Sequence, residues 1–421
     1  MKQSFFRHAF VFVLSVVFAV GLLLLGACLP QAPIDRNVLS SAQGMAEEGC
    51  YPLMADKSFA SMLDYTTDAL ILAESKATTI SRWDTIFTNP LYDYEGDTVE
   101  DLLDYASDEA PQPTGYYVQY WMGFRTAIRF LLCFFDYYQI LRYTAVVFFV
   151  LFAAVICDLA KRTGTKTAFL FALSIILVRP HVVAVSLQFS CCFLIAFLAM
   201  LLVPKIREKG GWESLFFLEL GILTQYFDFY TTPILTFCMP MIYLYLLGLR
   251  EGNAPGLKQI SRSAAAWCAG YGLMWLTKLM LTSLLTDANG LGQGLASFAG
   301  RVGIEKVAGM EAYYSPIAAI RAVFVSLYSD QEGKLVLFAC AAVLLLVIVL
   351  RFLKDRHSLR ELTGHWQLPV LAALPVVWFL AAAQPTANHH WFQYRGIAAS
   401  FWAGFVWLQL LLQKRPDQLA E

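Results

Sequence analysis

Along most of this chain apolar residues come in long unbroken runs, and polar residues gather between the runs instead of alternating with them. Runs long enough to cross a hydrocarbon core of about 30 Å recur, and backbone in lipid must satisfy its own hydrogen bonds, so the runs predict helices. No period-two strand pattern competes with them. The predicted spans lie at about 9–29, 143–159, 167–178, 182–203, 215–226, 233–249, 264–285, 335–350, 368–383 and 397–412. Two more stretches, about 116–138 with Arg125 and Arg129 among aromatics and about 315–328 with Arg321, predict interfacial helices, the second interfacial or re-entrant. A Gly-rich loop holding Arg301 and Lys306 precedes the second of these.

The pattern therefore predicts an all-α polytopic membrane protein of about ten transmembrane helices. Its divisions are a first transmembrane helix (1–29), a large extracytoplasmic loop with interfacial helices (30–142), a bundle of about nine helices (143–412) and a tail (413–421). Lys2 and Arg7 before an apolar stretch ending Leu25-Gly26-Ala27-Cys28 look like a lipoprotein signal. The run is about 21 residues, however, against roughly 7–15 for a signal's apolar region, so it reads as an uncleaved helix.

Composition agrees: 58% hydrophobic and only 15% charged residues, with a mean hydropathy of +0.55, excludes an ordinary soluble domain. Charge then supplies orientation. Sixteen of the 32 acidic residues fall in 31–115 against four basic ones, so a chain of net charge −1 carries about a dozen negative charges on one loop. With the N-terminus inside, about 17 Lys and Arg, including Lys161-Arg162, Lys205 to Lys209, Arg250, Lys258, Arg262, Arg351 to Arg356 and Lys414-Arg415, fall on the cytoplasmic side. The acidic loop falls outside, as the positive-inside rule prefers. The expected location is a bacterial inner membrane, with both termini cytoplasmic.

Of nine cysteines, Cys157, Cys191, Cys192, Cys238, Cys268 and Cys340 sit in apolar runs as small core residues, and no CxxC or Cys/His spacing suggests a metal site. Cys28 and Cys50 flank the start of the acidic loop and could pair in an oxidising compartment.

On this topology the leftover polar residues at span ends share the outer face. They are Asp64 and Asp68 in the first loop, Arg179-Pro180-His181, Tyr226-Phe227-Asp228-Phe229-Tyr230, Lys278, and Asn388-His389-His390-Trp391-Phe392-Gln393-Tyr394-Arg395. Singly, such groups reach headgroups or water. Together they offer carboxylates, imidazoles, cations and aromatics, the chemistry needed to hold a lipid-linked phosphate, activate a hydroxyl and stack a sugar. If 61–73 is helical, Asp64 and Asp68 share a face one turn apart. Unlike Asp97, Asp101 or Asp104, they are embedded among Met62, Leu63, Leu70, Ile71 and Leu72, which suggests anchoring against the bundle.

A first helix, a large outer loop and a many-span bundle with outer-face acids and cations resembles the GT-C class of membrane glycosyltransferases, over nearly the whole chain. The resemblance implies that Asp64 or Asp68 acts as general base or helps hold a divalent cation such as Mg or Mn. It implies equally that Lys278, Arg395 or Arg179 binds the donor phosphate, with His389, His390 and Asp228 beside them. The class often keeps its acid soon after helix 1, which makes Asp35 a third candidate. The expected partners are a polyprenyl-phosphate-linked sugar, a glycan, lipid or protein acceptor and membrane lipids, with no nucleic acid. A transporter or flippase of lipid-linked sugars would favour repeated halves and broken midplane helices, which are not evident. A surface-polysaccharide polymerase or ligase usually has its large loop between late spans. No Gly-rich phosphate loop, Ser nucleophile elbow or HExxH motif occurs.

Overall fold

The computed structural model describes residues 2–54, 59–77, 81–108, 111–301, 315–328, 349 and 365–412. Outside the described residues lie the predicted eighth span apart from Val349, the basic loop after it, Lys306, Cys340 and the tail with Lys414-Arg415. The described chain is helical almost throughout. Its one sheet pairs β1 (Pro90–Leu91) antiparallel with β2 (Gly115–Tyr116).

Among the described residues four helices are long and apolar enough to cross a membrane: Phe5–Ala27 within α1 (Lys2–Ala27), α7 (Tyr137–Thr163), α10 (Leu187–Lys209) and α13 (Leu257–Leu285). The chain is a membrane protein on that basis. The other apolar helices are shorter: α8 (Thr165–Ile176), α12 (Leu235–Arg250), α15 (Pro316–Leu327) and α16 (Gln367–Ala381). At about 1.5 Å per residue, their 12 to 16 residues reach about 18–24 Å. α12 is buried on every side from Leu235 to Gly248, so it is the bundle's central helix, whereas α1 turns Phe6, Phe10, Val13 and Phe18 outward.

Successive helices alternate between two ends of the bundle. At one end lie the start of α1, where the Arg7 guanidinium sits 3.5 Å over Trp212, and the α10 terminus, where Arg207 pairs with Glu251 at 2.7 Å. The acidic segment covers the opposite end. It folds into α2 (Gln31–Glu48), α3 (Tyr65–Lys76), α4 (Arg82–Thr88) and α5 (Thr98–Ser107), and α6 (Arg125–Leu132) at the bundle's margin leads on to α7. Side-chain caps start three of them: Asp64 accepts from the Thr67 N–H of α3, Ser81 accepts from the Asp84 N–H of α4, and Asp97 with Glu100 forms a capping box on α5.

Several expectations change here. The stretch 116–138 is not one interfacial helix: it divides into β2, α6 and the start of α7, because a capping box of Asp136 with Gln139 begins α7 ahead of its apolar run. Arg125 and Arg129 point inward instead of toward headgroups, at 4% and 2% exposure. The Gly-rich stretch before Arg301 is a helix, α14 (Gly290–Arg301), whose Gly290 and Gly294 sit against Thr282 and Leu279 of α13. Asp64 caps α3 and does not share a helix face with Asp68. Cys28 and Cys50 are both free thiols.

α11 (Glu213–Phe227) and α13 pack with backbones almost touching. A Cβ on Gly221 would meet the Trp267 carbonyl oxygen at 2.1 Å, and one on Gly270 would meet that of Leu218 at 2.2 Å. Only glycine allows this approach, as at other close helix pairs in membranes. Gly270→Val is therefore expected to lower the melting temperature in detergent, by the roughly 1–3 kcal/mol or more typical of overpacking. Gly272→Val, whose Cβ meets nothing within 4 Å, should leave it unchanged; equal melts for the two variants would contradict the packing described.

Candidate functional site

The acidic segment is fastened to the bundle by buried cations that donate to main-chain carbonyls. Lys278 of α13, fully buried, places Nζ 3.1 Å from the Ile86 oxygen and 2.8 Å from that of Phe87, at the C-terminal end of α4. Arg125 reaches the Thr85 oxygen at 2.6 Å, Glu74 at 2.7 Å and Asn89 at 2.8 Å. Arg129 reaches the oxygens of Gly26 and Ser75 and the Gln31 side chain. Arg395 donates to the Ala60 oxygen at 3.1 Å and the Trp391 oxygen at 3.3 Å, and Tyr394 shares the Ala60 carbonyl. In a water-poor junction a cation and a helix-end carbonyl each replace the other's lost hydration.

Two candidate carboxylates belong to the same junction. Both oxygens of buried Asp68 are engaged: Tyr137 OH donates at 2.6 Å, and the Leu187 and Gln188 N–H groups at 3.3 and 3.2 Å. Asp68 thereby joins α3 to α7 and to the N-terminus of α10, and burial pushes its carboxyl up to about 7. Asp64 bonds the Thr67 N–H at 3.1 Å and its hydroxyl at 2.9 Å, with burial raising it as well. Asp35 accepts from Gln31 at 2.7 Å within α2. Around the turn Phe59–Ser61 the structure does gather much of the predicted set. Arg179, in the left-handed region at φ +59°, donates to Ser61 at 2.6 Å, and the His390 ring lies 5.5 Å from Phe59.

Beside this junction lies a different kind of cluster. Arg301, at the end of α14, donates to Tyr120 OH at 2.7 Å, and its guanidinium lies 5.3 Å and 5.2 Å from the rings of Tyr120 and Tyr230. Tyr117 is 5.0 Å from Tyr120, and Tyr271 lies within electrostatic reach of Arg301. No carboxylate pairs with Arg301 among the described residues. Tyr230 holds φ +67°, a costly conformation for a bulky residue, with its carbonyl bonded by Gln393 at 3.3 Å.

Asp228 flanks the cluster close enough to act electrostatically on Tyr230 and Tyr271. It accepts from the Thr231 N–H and hydroxyl, and burial raises its pKa. His389 lies on the other flank. Burial, then Arg301 and His390, lower it to about 4, so it is neutral at pH 7. Its imidazole stacks on Phe392 without a hydrogen bond among the described residues.

The structure thus gives Lys278 and Arg395 to backbone carbonyls, brings Asp228, Tyr230 and His389 together at the tyrosine cluster, and adds Arg301, Tyr117, Tyr120 and Tyr271. Sequence reasoning missed Arg301 because the glycines before it suggest a loop. Its tyrosines come from distant segments, which no local pattern joins. Among the described residues no group of three or more His, Cys, Asp and Glu could hold a metal ion, so this donor set does not fit the divalent cation. What the cluster can do is hold an anion on Arg301, face flat rings with tyrosines, and exchange a proton at Asp228 or His389.

Asp68 makes folding pH-dependent. The folded protein keeps its proton up to about pH 7, whereas an unfolded chain releases it near about pH 4, so its contribution is complete below the lower value and is lost as pH rises through the upper one. Melting temperature should fall between pH 5 and 7.5, and fall less in Asp68→Asn; parallel curves would contradict the assignment. No known protein family, characterised protein or solved structure matches this chain.

Proposed function

We propose that the protein is a glycosyltransferase of the GT-C kind, moving a sugar from a polyprenyl-phosphate donor to a glycan, lipid or protein acceptor at the outer membrane face. The observation that carries this reading is the Arg301 guanidinium, set among tyrosines with no described carboxylate to neutralise it, beside Asp228 and His389. A half-buried cation of that kind favours an anion, and tyrosine rings suit the faces of a sugar. The segment covering this end carries most of the chain's excess acid, and among the described residues the basic groups Arg207 and Arg250 lie at the other, which supports an outer-face position for the cluster.

In this reading Arg301 holds the donor phosphate and the tyrosines hold the sugar. The acceptor hydroxyl attacks C1, its proton passes to Asp228, and the C1–O bond to phosphate breaks with the electron pair leaving on the polyprenyl phosphate. Arg301 stabilises that developing charge, so its contact strengthens in the transition state. Asp228 replaces the first-loop acids as base because it is the carboxylate beside the tyrosine cluster, within electrostatic reach of Tyr230 and Tyr271, whereas Asp68 and Asp64 lie in the junction that fastens α3. Arg395 and Lys278 act as positioning residues.

Asp228→Asn keeps size and hydrogen-bonding reach but cannot accept a proton, so turnover of radiolabelled sugar in purified membranes should fall about a hundredfold while donor binding persists. Asp104→Asn, on the exposed face of α5, should retain full activity. Full activity in Asp228→Asn would move the base to Asp64. Full activity in Asp228→Asn and Asp64→Asn alike, with donor still bound, would identify a protein that moves or presents a lipid-linked sugar while another membrane component transfers it.

A further inference from the structure

At the bundle end away from the acidic segment, two cavities meet. The first, about 370 Å³ and partly open, is lined by Thr163, Thr167, Leu246, Arg250, His365 and Gln409 among others. The second, about 570 Å³ and open at the bundle's side, is lined mainly by Phe169, Leu170, Phe405 and Leu408, with Lys166 at its rim. Gln409 lines both, and its Oε1 is buried without a hydrogen bond.

Of the carboxylates at this end, Glu251 is paired with Arg207 at 2.7 Å. The Arg250 guanidinium lies against Gly164, 3.1 Å from where a Cβ would sit, and makes no hydrogen bond to a described residue. Asp158, a nearby carboxylate, is already taken, by Arg162 at 2.8 Å and Tyr243 at 2.6 Å. The adjoining Tyr245 is held by His365 at 3.0 Å. The first turn of α8 also brings Thr165, Lys166 and Thr167 to the same place, so its free N–H ends add positive potential beside these side chains. A polar, cationic pocket opening onto an apolar, outward-facing groove has the division of an amphiphile.

We propose that this cleft seats an anionic glycerophospholipid with a hydroxylated headgroup. Its phosphate lies between Arg250 and Lys166, a headgroup hydroxyl donates to Gln409 Oε1, and one acyl chain follows Phe169, Leu170, Phe405 and Leu408. Basic pockets between helices at a membrane face bind such headgroups, and the acyl chain supplies apolar burial that a soluble anion lacks. This site is separate from the tyrosine cluster and does not rest on the proposed transfer reaction.

The test uses the full-length protein in a mild nonionic detergent with radiolabelled phosphatidylglycerol, phosphatidylcholine as the neutral control and glycerophosphoglycerol as the soluble headgroup. Retention of phosphatidylglycerol over phosphatidylcholine is expected, weakened about tenfold by Arg250→Gln, which removes a charge-assisted contact. Leu170→Trp, which fills the groove without altering charge, should weaken it as well. Melting curves check that both variants fold. Equal retention of the two lipids, or unchanged retention in folded Arg250→Gln, would overturn the proposal. So would competition by glycerophosphoglycerol at the lipid's own concentration, which would mark a soluble-anion site. Selective binding that appears only after deletion of 413–421 would overturn it too, by making the chain's own tail the occupant.

Discussion

The structure depends on cations that have been taken out of water and given to backbone carbonyls. Lys278, Arg125, Arg129 and Arg395 come from the bundle or its margin, and each reaches oxygens in 26–87. Without such partners a buried cation would be strongly unfavourable, and the carbonyls would lack donors. Because each group needs the other, the acidic segment can close over the bundle in only one register. Glu74 adds a buried ion pair to this junction, to Arg125 at 2.7 Å, and loss of a single partner from such a pair typically costs about 3–5 kcal/mol.

This fastening determines what remains for chemistry. Asp68 and Arg395 sit where a reaction centre would be sought, but their polar atoms face α10, Tyr137 and the turn at Ala60. Arg301 stands apart because its surroundings among the described residues are phenol rings and a phenolic hydroxyl. The backbone conformation of Tyr230, at φ +67°, fits a position where packing holds a residue in place for a use other than stability.

Much of the bundle was legible in the sequence, since hydropathy alone locates α1, α8, α10, α11, α12 and α16 to within several residues. The start of α7 was legible too, through Asp136 and Gln139, but an apolar run attracts attention before a cap does. What one sequence does not carry is the partner of a cation at a span end. Lys278 meeting a lipid phosphate and Lys278 meeting the Phe87 carbonyl leave the same trace along the chain. Glycines mislead in a similar way: in 290–301 they permit close contact of α14 with α13, where their number suggests irregular chain. Asp228 and His389 were legible because polar residues between apolar spans on one face stand out along the chain, whereas Tyr117, Tyr271 and Arg301 meet only through the fold.

The account separates cations that hold the fold from the cation that holds a ligand, and binding of polyprenyl phosphate to purified variants tests this most directly. Arg301→Gln should weaken binding about tenfold to a hundredfold, the range for losing a charge-assisted contact to phosphate, with an unchanged melting temperature. Lys278→Met should lower the melting temperature while the protein that remains folded binds as the parent does. Undiminished binding in Arg301→Gln, or lost binding in folded Lys278→Met, would contradict the account.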